Sequence, residues 1–136
     1  MITTYPNDIL ARVSEDVPFE EGLEIGKQLL EEERGLRNCV GLAAPQIGIN
    51  KNVFTALGII YINPKITYYS PEYRDSVEGC FSLPNAGQVK VRRAKSVRMS
   101  WLNKKGEPKN GMFNGFHAIV LQHEYDHLQG KLCNGQ

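Results

Sequence analysis

Over residues 19–37, Leu23, Ile25, Leu29, Leu30 and Leu36 recur among Glu, Lys and Arg at intervals that place them along one side of a helix. An amphipathic helix is expected there, although Gly22 and Gly26 each weaken its intrinsic preference by about 1 kcal/mol. Over residues 53–102 the pattern changes to short runs rich in Val, Ile, Tyr and Phe. These are broken by Asn63-Pro64, Ser70-Pro71, Pro84-Asn85 and residues 103–106, as strands joined by turns require. A loop is expected over 106–111. Phe116, Ile119, Val120, His123 and His127 then fall at offsets of 0, 3, 4, 7 and 11, a helical stripe that closes near Gly130. Helix, then sheet, then a second helix that must bury its stripe against that sheet define an α+β class. The expected architecture is mixed or antiparallel sheets packed around the C-terminal helix, with one N-terminal helix. No internal repeat, low-complexity tract or linker interrupts the pattern, so a single domain over residues 1–136 is expected.

The last helix carries the chemistry. His123-Glu124-Tyr125-Asp126-His127 has the form H-E-x-x-H, and at about 100° per residue its two imidazoles lie roughly 40° apart around the axis. Both can reach one cation, and Glu124, from the adjacent position, can take a proton from metal-bound water without ligating. Five-residue matches also arise by chance, and a histidine on an apolar face is often a core residue. Two of the chain's three histidines nevertheless fall in this one motif. His117 lies outside it and reads as structural or solvated.

A catalytic site requires a third protein ligand and an open position. Residues 128–136 contain no His, Asp or Glu, so the downstream ligand of common H-E-x-x-H proteases is missing. The third ligand is therefore upstream, or it is Cys133. Cys80, in Glu78-Gly79-Cys80-Phe81-Ser82, is the choice, because Gly79 permits close backbone approach and a strand can aim the sulfur at the helix. Cys133 would have to fold back sharply past the helix end. Cys39 reads as a small buried hydrophobe. A third element, Val40-Gly41-Leu42-Ala43-Ala44-Pro45-Gln46, is either a tight crossing that needs small side chains or a site feature. In the second reading Gly41 exposes backbone to a peptide and the Gln46 amide donates to an oxyanion.

Composition removes several alternatives. A net charge of +1, from 16 basic and 15 acidic residues, gives no broad footprint for nucleic acid or an anionic membrane. The most apolar stretch, residues 53–62, is about half of the roughly 20 residues a spanning helix needs. The N-terminus has no signal-peptide pattern, and three widely spaced cysteines suggest reduced thiols, so a cytoplasmic protein is expected.

Together and in this order, the three elements resemble the peptide deformylase family, whose motifs are G-x-G-x-A-A-x-Q, E-G-C-x-S and Q-H-E-x-D-H-x-x-G. Their counterparts are residues 39–46, 78–82 and 122–130, and the likeness extends from Asp8-Ile9-Leu10 through Tyr61-Ile62-Asn63-Pro64 to Leu132. Cys39 departs from the first motif's glycine. Gly87 stands where bacterial members commonly carry an arginine that helps hold the peptide. Many members also continue into a further C-terminal helix, so the resemblance implies a compact form similar to those of phages.

It further implies hydrolysis of the N-formyl group from formyl-methionyl peptides of nascent chains, with release of formate, by a monomer acting in the cytosol at or near the ribosome. One divalent ion per chain, natively Fe(II), would be held by Cys80, His123 and His127; zinc, nickel or cobalt also suit these ligands. Gln122 or Glu78 would orient the ligands. Gln46 and the backbone N–H of Phe81 would stabilise the oxyanion. Phe116, Ile119 and Val120 would line a methionine pocket with Val40, and the peptide would run along Gly41 and Gly79. An H-E-x-x-H endopeptidase and a noncatalytic metal-binding module are the competing readings.

Overall fold

The computed structural model describes residues 2–84 and 87–133. A 3-10 turn, Asp8–Ala11, precedes helix α1, Phe19–Glu33. Strand β1, Gly41–Ala43, runs directly into a second 3-10 turn, Ala44–Ile47. There follow β2 (Val53–Ala56), β3 (Ile59–Tyr69), β4 (Tyr73–Glu78), β5 (Val89–Ala94), β6 (Ser96–Leu102), β7 (Pro108–Asn114) and helix α2, Gly115–Leu128.

Five strands form one antiparallel sheet in the order β1-β2-β3-β6-β7, and β4 pairs with β5 in a separate antiparallel hairpin. The large sheet is central because β2 is buried at all of its positions. Alternation sends Val53, Ile60 and Ile62 to one face, where they meet Ile25 and Leu29 of α1. Phe54, Tyr61 and Met99 go to the other, against Val120, Leu121 and Leu128 of α2. Gly22 and Gly26, unfavourable for an isolated helix, are explained by this packing. A Cβ at either would stand 2.5 Å from the Cγ2 of Ile62 or Ile60. Their absent side chains let α1 lie directly on β3.

The expected class is observed, with local differences. Helix α1 stops at Glu33, four residues short of the expected end, where Gly35 follows and the chain turns at Asn38, φ 58°. Asn63-Pro64 does not end a strand. Asn63, at φ 50°, makes a bulge within β3, and its side-chain amide pairs with Val17 N–H and C=O at 2.9 and 2.8 Å. The expected loop over 106–111 is largely strand: β7 pairs with β6 from Ser96↔Asn114 to Leu102↔Pro108, while the turn itself is confined to residues 103–106. No helix among the described residues is long and apolar enough to cross a membrane.

Candidate metal centre and cleft

Strand β4 ends at Glu78 and delivers Gly79, Cys80 and Phe81 opposite the face of α2 that carries the two histidines. The turn after Cys80 is held at two points. Leu83 N–H donates to Cys80 C=O at 2.9 Å, and Ser82 joins the N-terminal segment through Thr3 O at 2.7 Å and Tyr5 N at 2.8 Å. The ligand-capable atoms of Cys80, His123 and His127 lie within 4.8 Å of one another. Cys80 Sγ is 3.4 Å from His127 Nε2, close to the S···N edge of about 3.5 Å that tetrahedral ligands on a zinc-sized ion would show.

The histidines differ in how they are oriented. His123 Nδ1 lies 2.7 Å from Glu78 Oε1, and a carboxylate there can only accept, so Nδ1 carries the proton and Nε2 is left for a ligand role. Burial opposes protonation of this ring, yet Cys80, Glu78 and Glu124 together raise its pKa well above the usual value. His127 is almost fully buried, and burial, with the nearby positive charges of His123 and Arg93, drives its pKa well below normal, leaving a neutral ring. A neutral imidazole beside a thiol and a second ring is a donor set for a borderline divalent ion.

Glu124 is 3% exposed, and its Oε1 has no hydrogen-bond partner among the described residues. Burial, reinforced by the Glu33 charge and opposed by His123, raises its pKa to about 7. A carboxyl so placed can both take and return a proton near neutrality. Gln46 is buried too. Its carbonyl oxygen accepts from Ala43 N–H at 3.0 Å, which turns its Nε2 toward Ser82 Oγ at 3.3 Å and Cys80 Sγ at 3.7 Å. Phe81 N–H donates to no described residue.

These groups open onto one cleft of about 420 Å3. Gly41, Gln46, Gly79, Cys80 and Phe81 line it from one side, and Ile119, Val120, His123 and Glu124 from α2. His127 lies behind this surface. Phe116 and Val40 also border the cleft, but at 60% and 42% exposure they form its rim rather than a closed pocket. Gly41 is required by closeness: a Cβ there would stand 2.6 Å from Thr55 O and 3.0 Å from Glu124 Oε2. The described parts of the chain place Cys133 in a small apolar cluster beside Cys80, outside the three-residue ligand group. Cys39 is only half-buried, with Sγ 3.3 Å from Gly41 O. His117 meets Tyr61 Oη at 3.1 Å and packs on Phe113, a structural role.

A family model described as polypeptide deformylase matches residues 1–135. The chain belongs to the peptide deformylase family. Its sequence is 43% identical over 96 residues to a peptide deformylase of Pseudothermotoga lettingae, an alignment that covers 68% of this chain and 56% of that protein. The fold is similar to a probable peptide deformylase from Synechococcus phage S-SSM7, with TM-score 0.90, 36% identity and coverage of 98% and 97% of the two chains. It is similar also to a Met-Ala-Ser-bound class I type b peptide deformylase from Acinetobacter baumannii, with TM-score 0.89, 29% identity and coverage of 98% and 95%.

Both departures from the family motifs have a local structural account. The backbone at Cys39 is outside the left-handed region, which Asn38 occupies instead, so glycine's freedom is not needed there. Gly87 has φ 66°, a conformation that an arginine would enter only with strain. Sequence reasoning missed Arg93. Its guanidinium is 5% exposed, forks onto Glu78 at 2.6 and 2.9 Å and reaches Asp126 at 2.6 Å, tying β4, β5 and α2 together behind the histidines. Gln122 binds the Ala94 backbone on both sides at 2.9 Å and so anchors β5, leaving Glu78 as the residue that orients the His123 ring.

Proposed function

We propose that this chain is a metal-dependent hydrolase that removes the N-formyl group from formyl-methionyl peptides of nascent proteins. The observation that carries the reading is the convergence of Cys80, His123 and His127 at a cleft also lined by Glu124, a buried carboxyl whose pKa burial raises to about 7. Cys80, His123 and His127 would hold one divalent ion, Fe(II) by family resemblance, with zinc, nickel or cobalt also compatible. When bound, such an ion polarises a carbonyl and makes water acidic enough to lose a proton near neutral pH.

The remaining steps belong to the protein. Glu124 accepts the proton of the attacking water and delivers it to the amine nitrogen as the bond to the formyl carbon breaks. Gln46 Nε2 and Phe81 N–H donate to the oxygen on which negative charge develops. The peptide enters as an extended strand between the free edge of β1 at Gly41 and the segment through Gly79, and its first side chain rests on Ile119 and Val120 beneath the rim formed by Phe116 and Val40. The Met-Ala-Ser bound to the Acinetobacter baumannii relative supports a methionyl peptide as the ligand. The expected setting is cytosolic, on chains leaving the ribosome, with the protein as a monomer.

The test is an assay of formyl-Met-Ala-Ser, acetyl-Met-Ala-Ser and an unmodified protein substrate in parallel. Stoichiometric formate from the first alone is expected. Internal cleavage of the protein substrate without formate release would establish an endopeptidase instead.

A further inference from the structure

We infer that Arg37 selects among substrates by their third residue, favouring an acidic side chain there. The inference rests on the deformylase reading and concerns the outer end of the same cleft. Along the wall containing β1, Leu42 is fully buried and Cys39 half-buried, whereas Val40, at 42%, and Asn38 and Arg37 are exposed. On the opposite wall, Glu78 is buried and Val77 is 64% exposed. Arg37 lines the cleft at an exposed part of this wall, so a peptide whose formyl end lies beside Glu124 and that runs outward along β1 passes Arg37.

The reach is suitable. A Cβ at Gly41 would stand 3.0 Å from the Glu124 carboxylate, and Arg37 lies four residues before Gly41, at most about 14 Å for extended chain. The left-handed residue Asn38 bends the path and brings Arg37 back to the cleft, which it lines. A peptide running outward beside β1 covers a similar distance by its third residue, within range of a long arginine side chain.

Arg37 is also electrically available. It makes no ion pair or side-chain hydrogen bond with any described residue, while neighbouring Arg34 is engaged by Glu31 at 3.0 Å. Among the other charged residues lining the cleft, Glu78 is occupied by Arg93 and His123, and Glu124 is at the reaction centre. The outer end thus presents one unpaired guanidinium, whose planar fork matches a carboxylate.

The experiment measures formate release by the metal-loaded full chain from formyl-Met-Ala-Asp-amide, formyl-Met-Ala-Ser-amide and formyl-Met-Ala-Lys-amide. In low salt kcat/KM should favour Asp over Lys on the order of 3-fold, the scale of an exposed ion pair, mainly through KM. Arg37→Ala should bring the ratio to about 1, Arg37→Glu should invert it, Arg37→Lys should retain most of it, and about 0.5 M salt should erase it. Lys104→Ala, on the distant turn between β6 and β7, should leave the ratio unchanged. Calorimetric binding of the products Met-Ala-Asp-amide and Met-Ala-Lys-amide should show the same order. An Asp/Lys ratio that is unaltered in Arg37→Ala, or already 1 in the wild type, overturns the assignment of Arg37 and leaves the deformylase reading standing. Absence of formate from all three peptides overturns that reading and this inference with it.

Discussion

Glu78 Oε1 lies 2.7 Å from His123 Nδ1 while the same carboxylate is forked by Arg93 at 2.6 and 2.9 Å. One buried side chain thereby fixes the tautomer of the His123 ring and neutralises a buried cation. Glu78→Gln should accordingly weaken metal binding about 10- to 100-fold, the range for loss of a group that orients a ligand histidine. Because Arg93 would lose its main partner, stability should fall by about 3 kcal/mol. Metal titration and thermal unfolding measure the two effects separately.

The same pair predicts an acid dependence for the metal-free protein. Burial would raise the Glu78 pKa, but the hydrogen bonds from Arg93 and His123 and the Arg93 charge outweigh it and hold it at about 2, below the ordinary 4.5. The folded state thus binds this proton more weakly than the unfolded state does. The associated stabilisation, about 3 kcal/mol, is complete above pH 4.5 and disappears as the pH falls toward 2. Urea midpoints of the wild type and Glu78→Gln should be well separated at pH 6 and converge between about pH 4.5 and 2.

Gly41→Ala tests the fit between β1 and the Glu124 carboxyl. Its new methyl group would press on the Thr55 carbonyl, a backbone atom that cannot swing aside, and on Glu124. A loss of about 1–3 kcal/mol in stability is expected from overpacking, with a fall in kcat larger than any rise in KM as Glu124 is displaced. Steady-state kinetics and chemical denaturation provide the readouts.

Glu124→Ala should retain the metal and lose at least about a hundredfold in rate, the ordinary contribution of acid-base catalysis. Near-normal turnover would remove Glu124 from the mechanism. With a carboxyl pKa of about 7 that a bound cation lowers, kcat/KM in the wild type should fall on an acidic limb at or below pH 7. A pH–rate profile of the metal-loaded protein locates that limb.

What could be read from the chain alone depended on how local the determining contacts are. Helix α2 and the shared face of its histidines were legible because the three- and four-residue spacings that build that face lie within one element. Strand β7 was not. Pro108, Asn110 and Gly111 signal a loop, and only pairing with β6 and the packing of Trp101 on Phe113 at 5.6 Å make this segment a strand. Asn63 reads as a turn residue until Val17, 46 positions away, takes up its side-chain amide. Arg93 gave no signal at all, since its partners lie 15 and 33 residues off and it stands in the sequence between an exposed Arg92 and an exposed Lys95. Cys80 could be preferred over Cys133 from its motif, but the proximity of sulfur to imidazole is a tertiary fact.

The most direct test of the account is the metal content per chain of the wild type, Cys80→Ala and Cys133→Ala, purified anaerobically and quantified together. One equivalent in the wild type and in Cys133→Ala, with almost none in Cys80→Ala, is the predicted result. Full occupancy in Cys80→Ala, with loss in Cys133→Ala, would contradict it.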